Sequence, residues 1–315
     1  MGSRHLVDTL QRMGVDVKVI FGPEHGFRGD ADAGEKVANY IDKATGIPVV
    51  SLYGSKRLPD ANDLRDIDLM IFDIQDVGTR FYTYISSLEE YIQAAIEYKK
   101  DVLILDRPNP NAHYVDGPVL QSPYKSFVGM QEVPIVYGMT IAEYAHFLVG
   151  EQLIKNQGDK FIQVIVDGKA TSAAAATPHI KLFVVTCDNY DHRTRYELPY
   201  KPSPNLPNMQ SVYLYPSTCL FEGTVLSEGR GTDKPFQVFG HPSLPKTLYA
   251  FTPNPNAGAK SSKNYGKVNY GWDLSGSVDE VLKKVNNQVQ LKWLIDAYNL
   301  FPDKREFHHQ TKRWR

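Results

Sequence analysis

The chain has 315 residues, 42% of them hydrophobic and 23% charged, a globular composition rather than a disordered or fibrous one. Thirty-five Lys and Arg against 36 Asp and Glu leave a formal net charge of −1, so no whole-chain field attracts nucleic acid or an anionic membrane. No run approaches the ~18 apolar residues that span a bilayer, the first residues lack the regions of a signal peptide, and Cys187 and Cys219 form neither a disulfide framework nor a zinc motif.

The first 190 residues alternate amphipathic stretches with short apolar runs. Residues 4–13 set Leu6, Leu10 and Met13 at helical spacing, and 17–21 (VKVIF) then read as a strand. Further strands are predicted over 47–52, 69–74 and 102–105, each rich in branched apolar residues and closed by Gly, Pro or Asp. Between the last two, 84–98 place Ile85, Leu88, Ile92, Ala95 and Ile96 on one helical stripe. A helix over 140–148 has Thr140 as N-cap and Glu143 as its capping-box partner, and strands over 161–166 and 182–186 follow, with an Ala-rich link at 169–178 between them. The simplest solution is an α/β domain at 1–188, a Rossmann-like, mostly parallel sheet with helices on both faces. Five prolines between 199 and 216 predict an extended covering segment rather than helix. Gly-rich loops and helices over 278–287 and 289–300 complete a smaller α+β domain, 189–315.

In an open parallel sheet, ligands bind outside the carboxyl ends of the strands. That rule selects Glu24 and His25 in FGPEHGFRGDADAG, Tyr53 in SLYG, Asp73, Gln75, Asp76 and Arg80 in DIQDVGTRFYTY, and Asp106, Arg107 and Asn109 in DRPNP. Pro23 stiffens the approach to Glu24 while Gly22, Gly26 and Gly29 allow a tight turn. Desolvation in a semi-enclosed cleft favours a protonated carboxylic acid, the form that protonates a leaving oxygen; His25 is a candidate base or ligand, with packing or orientation of Glu24 the preferred reading. Asp73 and Asp76, with Arg80, Tyr82 and Tyr84 behind them, supply what sugar hydrolysis uses: paired carboxylates, ring-stacking surfaces and a clamp for an anionic substituent. In LFEGTVLSEGRGTDKPFQ, Glu222, Glu228 and Arg230 stand on a segment able to close the cleft. No P-loop, Gly-x-Gly-x-x-Gly or Gly-x-Ser-x-Gly pattern is found, so no cofactor is expected. Asp30 and Asp32 begin like a calcium loop but lack its spacing, and no metal is assigned.

With FGPEHGFRGDADAGE, FDIQDVGTRFYTY, LDRPNP, YELPYKPSPNLPN and LFEGTVLSEGRGTDKPFQVFG assembled, the sequence resembles the exo-β-N-acetylmuramidase family of glycoside hydrolases, the NamZ or YbbC-like proteins. The resemblance runs from about Val17 to Pro302. It implies a Rossmann-like catalytic domain with a smaller second domain, and release of N-acetylmuramic acid from the non-reducing ends of peptidoglycan fragments. By the motif match, Glu24 corresponds to the glutamate proposed as catalytic. Asp73, Asp76 and Glu222 are the candidates for its partner, and Arg80, Arg107 and Arg230 for holding the lactyl carboxylate. Family members begin with a further strand ahead of the first helix here, so a sheet lacking one member beside the Glu24 loop is expected. Many carry His where this chain has Tyr137. Relatives are often exported, which implies a periplasmic or secreted full-length form. Two rivals stand beside this reading: a metal-dependent hydrolase built on Glu24, His25, Asp30 and Asp32, and a non-catalytic binder of cell-wall sugars.

Overall fold

The computed structural model describes residues 5–24, 26–27, 38–171, 177–256 and 258–308. Helix α1 (Leu6–Arg12) lays Val7 against Ile20, Ile47 and Val49 of the strands that follow. Strand β1 (Ile20–Gly22), β2 (Tyr40–Ile41) and β3 (Pro48–Ser51) make one small sheet, in which β1 and β3 are parallel and β2 is antiparallel to β3. Strand β4 (Leu69–Phe72) leads through helix α2 (Tyr84–Tyr98) to β5 (Asp101–Leu105), and helix α3 (Ile141–Gly150) leads to β6 (Ile162–Val166), β7 (Lys169–Ala170) and β8 (Ile180–Val185). These five strands form the larger sheet in the order β4-β5-β8-β6-β7, parallel except for β7.

The expected mostly parallel α/β layer is present, and its strands divide between two sheets. Among the described residues β1 and β4 each have a single hydrogen-bonded neighbour strand, so both stand at edges of the described sheets. Side chains from α2 join the halves: the Tyr91 ring lies 6.1 Å from Phe21 of β1 and 5.8 Å from Phe72 of β4, and its hydroxyl donates to the Ile71 carbonyl at 3.4 Å. α2 and α3 pack on each other and on β5. They bury alternate residues of the larger sheet: Met70 and Phe72, Val102 and Ile104, Val164, Leu182 and Val184. Alternation is required because successive strand side chains point to opposite faces. The other parity, Leu69, Leu103, Phe183 and Val185, lines the opposite face, where Leu69 and Val185 are exposed.

The predicted capping box of α3 forms: Thr140 accepts the Glu143 amide and Glu143 accepts the Thr140 amide. The covering segment expected up to Pro216 ends earlier, because helix α4 (Met209–Thr218) forms within it. Asn208 caps that helix by accepting the Ser211 amide at 3.0 Å. Pro216 lies in its second half, where a proline leaves the carbonyl four residues earlier without its amide donor. That carbonyl, on Val212, accepts instead from Asn111 Nδ2 at 3.3 Å. A donor distant in sequence thus makes the proline tolerable.

The second core packs α4 on an antiparallel sheet of β9 (Val238–His241), β10 (Tyr249–Phe251) and β11 (Asn269–Asp273), with helices α5 (Val278–Val285) and α6 (Leu291–Leu300). This core also takes in Val77, Tyr82, Tyr84, Tyr114, Ile135 and Val136 from the earlier part of the chain. The two parts therefore share packed surface. Among the described residues no helix is long and apolar enough to cross a membrane.

Leu88 of α2 is fully buried between the helix pair and the larger sheet. Leu88→Ala is expected to lower unfolding free energy by about 2–5 kcal/mol, the range for deleting a buried leucine side chain. The urea midpoint should fall with the slope unchanged.

Candidate active site

Glu24 follows β1 by two residues and Tyr53 follows β3 by two, so both stand at the carboxyl end of the smaller sheet. Gly22 lets the loop double back: a Cβ there would meet the Phe27 amide nitrogen at 3.3 Å. Tyr53 donates its hydroxyl to Glu24 Oε1 at 3.1 Å, and Thr83 donates Oγ1–H to Oε2 at 2.8 Å. Tyr84, the next residue, donates to the Glu24 backbone carbonyl at 3.4 Å. The start of α2 thus grips both the side chain and the main chain of Glu24. Thr83 was not singled out from the sequence, since a threonine before a helix reads locally as a cap. Its role rests on a contact between residues 59 apart.

Asp73 and Arg107 meet at the carboxyl ends of β4 and β5. Arg107 Nε lies 2.7 Å and Nη2 2.5 Å from Asp73 Oδ1, with the two side chains 37% and 14% exposed. Parallel neighbours β4 and β5 end side by side, which is why residues 34 apart form this pair. The structure therefore yields two polar groupings on the strand-end rim, Glu24 with Tyr53 and Thr83, and Asp73 with Arg107. Beside Arg107, Asp106 accepts the Ala142 amide at 3.0 Å. It also lines a cavity of about 580 Å³ with Glu143, His146, Tyr190, His192 and Arg193.

The structure turns several other sequence-predicted residues inward. Asp76 is only 3% exposed and receives the Gly78 amide at 2.6 Å and the Tyr137 hydroxyl on Oδ2, which removes it from reach of a sugar. Burial pushes its carboxyl up to about 7, against the opposing pull of Tyr137 and the Gly78 and Val77 amides. Tyr82 and Tyr84 are buried edge to face at 4.9 Å and offer no open ring to stack a sugar. Tyr82 ties the later chain down by donating to the Pro202 carbonyl at 2.8 Å. Arg80 donates to the Pro118 and Val133 carbonyls, so its guanidinium braces loops instead of clamping an anion.

Asn109 is buried, donating to the Met139 carbonyl and accepting the Asn111 amide, both at 2.8 Å. It packs on Gly78, whose φ of +74° and lack of a side chain make that approach possible, since a Cβ would lie 2.1 Å from Asn109 Oδ1. Glu222, Glu228 and Arg230 form an internal charge cluster: Arg230 Nη2 lies 2.6 Å from Glu222 Oε1 and Nε 3.5 Å from Glu228. Lys263 lies 3.0 Å from Glu228 and donates to three backbone carbonyls of the Phe221–Leu226 turn. Burial works against the Arg230 charge, but Glu222 and Glu228 outweigh it and hold the guanidinium protonated. Two carboxylates and two cations close on each other there, so a role in gripping substrate is not supported by their partners. His25, Asp30 and Asp32 lie outside the described residues.

Comparison with known proteins decides the family. A model described as the N-terminal part of exo-β-N-acetylmuramidase NamZ matches residues 1–210, and its C-terminal counterpart matches residues 213–313. The chain belongs to the NamZ exo-β-N-acetylmuramidase family. It is 43% identical over 314 residues to the peptidoglycan β-N-acetylmuramidase NamZ of Bacillus subtilis strain 168, covering 96% of this chain and 70% of that relative. Crystal structures of two DUF1343 family proteins from Bacteroides fragilis share the fold. One superposes with a TM-score of 0.82 at 43% identity, covering 98% of this chain and 78% of its own. The other has a TM-score of 0.69 at 27% identity, covering 96% and 78%. For this NamZ-family chain, the family fixes the Rossmann-like layer and second domain, while the roles of individual residues rest on the geometry above.

Asp76 supplies a pH test. Its carboxyl is raised in the folded state, to about 7 from an ordinary 3.8, so between these values the native state binds more protons than the unfolded chain. Its contribution to stability is then full below about pH 4 and lost as pH rises through about 7. Asp76→Asn should lack this component, so the stability difference between Asp76→Asn and the parent should shift in the variant's favour from pH 4 to 8, as read by denaturant melts.

Proposed function

We propose that this chain is an exo-acting glycoside hydrolase that releases N-acetylmuramic acid from the non-reducing ends of peptidoglycan fragments. The observation that carries the reading is Glu24, oriented through both carboxyl oxygens by Tyr53 and Thr83 at a strand-end rim, in a chain of the exo-β-N-acetylmuramidase family. A proton donor for a leaving oxygen must be held in one geometry, because misplacement by about 1 Å costs on the order of 100-fold in rate.

In the proposed reaction Glu24 protonates the glycosidic oxygen as its bond to the anomeric carbon lengthens. Asp73 is the carboxylate of the segment after β4 that is left near the surface once Asp76 is sealed in. It offers negative charge to the oxocarbenium-like centre, or orders the attacking water. A guanidinium has five N–H donors, and Asp73 engages two of the three Arg107 nitrogens. The remainder suits a second carboxylate, the lactyl group that distinguishes a muramic from a glucosamine sugar. Peptidoglycan lies outside the cytoplasmic membrane, so we assign the working protein to the periplasm or the secreted fraction.

A chromogenic β-N-acetylmuramide should be turned over, its glucosamine analogue should not, and the activity should survive a chelator. Glu24→Gln should lose at least about 100-fold in kcat while still binding the muramide. A muramide that is bound and never cleaved by the parent protein would instead make this a sugar-binding module. Arg107→Met should raise KM for the muramide by about 10-fold or more, since a charge-assisted contact to a carboxylate contributes roughly 1.5–3 kcal/mol.

A further inference from the structure

Three α-helices among the described residues, α2, α3 and α5, are preceded by a hydroxyl residue. Thr140 and Ser277 do what such residues ordinarily do, accepting a backbone amide of the helix they open and completing capping boxes with Glu143 and Glu280. Thr83 does not. It sits in a helical conformation with φ −69° and ψ −4°, makes no side-chain bond to its own helix, and donates to Glu24 Oε2 at 2.8 Å. Its hydroxyl is used across the fold, at the longest of the described helices.

We propose that Thr83 is a positioning residue for Glu24: the first hydroxyl of α2 is withdrawn from helix capping to fix the carboxyl group in its working orientation, with Tyr53 as the second support. The inference rests on the reading of Glu24 as the proton donor. Three geometrical facts support it. The two hydroxyls take different oxygens, so together they fix the plane of the carboxyl group as well as its place. Tyr84 holds the Glu24 backbone carbonyl, so side chain and main chain are referred to one helix end. That helix is itself fixed, with Ile85, Leu88, Ile92 and Ile96 buried in the first core. A hydroxyl also has lone pairs besides its proton. Thr83 can therefore donate to the carboxylate and accept from the carboxylic acid, which lets one support serve both protonation states of a group that gives up and regains a proton.

The test compares Thr83→Val, which keeps the shape and removes the hydroxyl, with Thr83→Ser, which keeps the hydroxyl, in the full chain on the chromogenic muramide. Thr83→Val should lower kcat by about 10- to 100-fold with KM within about twofold of the parent, and Thr83→Ser should retain at least half of the parent kcat. Tyr53→Phe should lower kcat in the same sense and by less, and it provides an independent check if Thr83→Val folds poorly. A thermal melt on each variant separates lost folding from lost orientation. Parental kcat in folded Thr83→Val would overturn the proposal, as would failure of Thr83→Ser to restore it, or a loss confined to KM. Glu24→Gln distinguishes the failures: if that variant is inactive while Thr83→Val is fully active, only the positioning role falls. If Glu24→Gln is itself fully active, the reading of Glu24 falls and this proposal with it.

Discussion

The arrangement depends on α2 holding together two sheets that share no backbone hydrogen bonds among the described residues. Among the described strands β1 and β4 are both edges, and a parallel layer divided at that point has no ladder there to fix one half against the other. The helix supplies the link at two heights. In its middle, Tyr91 packs on Phe21 from one sheet and Phe72 from the other. At its first residues, Thr83 and Tyr84 hold Glu24. The contact that orients the candidate proton donor also fastens the β1 loop to the larger sheet, so structural integrity and chemistry are coupled at one carboxyl group.

Much of the charge on the loops that the sequence brings forward is paired internally. Asp73 is paired with Arg107, Arg80 with loop carbonyls, and Arg230 with Glu222 and Glu228. A buried or half-buried ion loses hydration and is tolerated only when paired and hydrogen-bonded. Each arginine therefore first satisfies its own fold. Arg107 differs from the other two in standing where strand ends open to solvent, which leaves it able to serve a ligand as well.

The second domain enters the site by packing. Tyr82 and Tyr84 belong to its core although they lie on the connection between β4 and α2 and at the first residue of α2, and the Tyr82 hydroxyl donates to the Pro202 carbonyl. Asn111 reaches from the first domain to the carbonyl that Pro216 leaves open. These contacts set the β4–α2 loop, and with it Thr83, between two cores.

Local order was readable from the sequence. Periodicity located α2 to its terminal residues, hydroxyl and carboxylate spacing located the α3 capping box, and runs of branched apolar residues located β3, β4, β5, β6 and β8. These features depend on neighbours within one helical turn or one strand. The strand-end rule likewise brought forward Glu24, Tyr53, Asp73 and Arg107, because carboxyl ends are marked in the chain by where apolar runs stop. Tertiary structure decided which polar groups remain available. The sequence presents Asp73 and Asp76 as equals three positions apart, yet one ends beside an arginine at the rim and the other is sealed under Tyr137. Helix α4 continues across Pro216 with a distant asparagine satisfying the Val212 carbonyl. Thr83 reads as a cap until Glu24 is folded against it. A side chain's local options are set by its immediate neighbours, whereas its partner and its exposure are properties of segments brought together by folding.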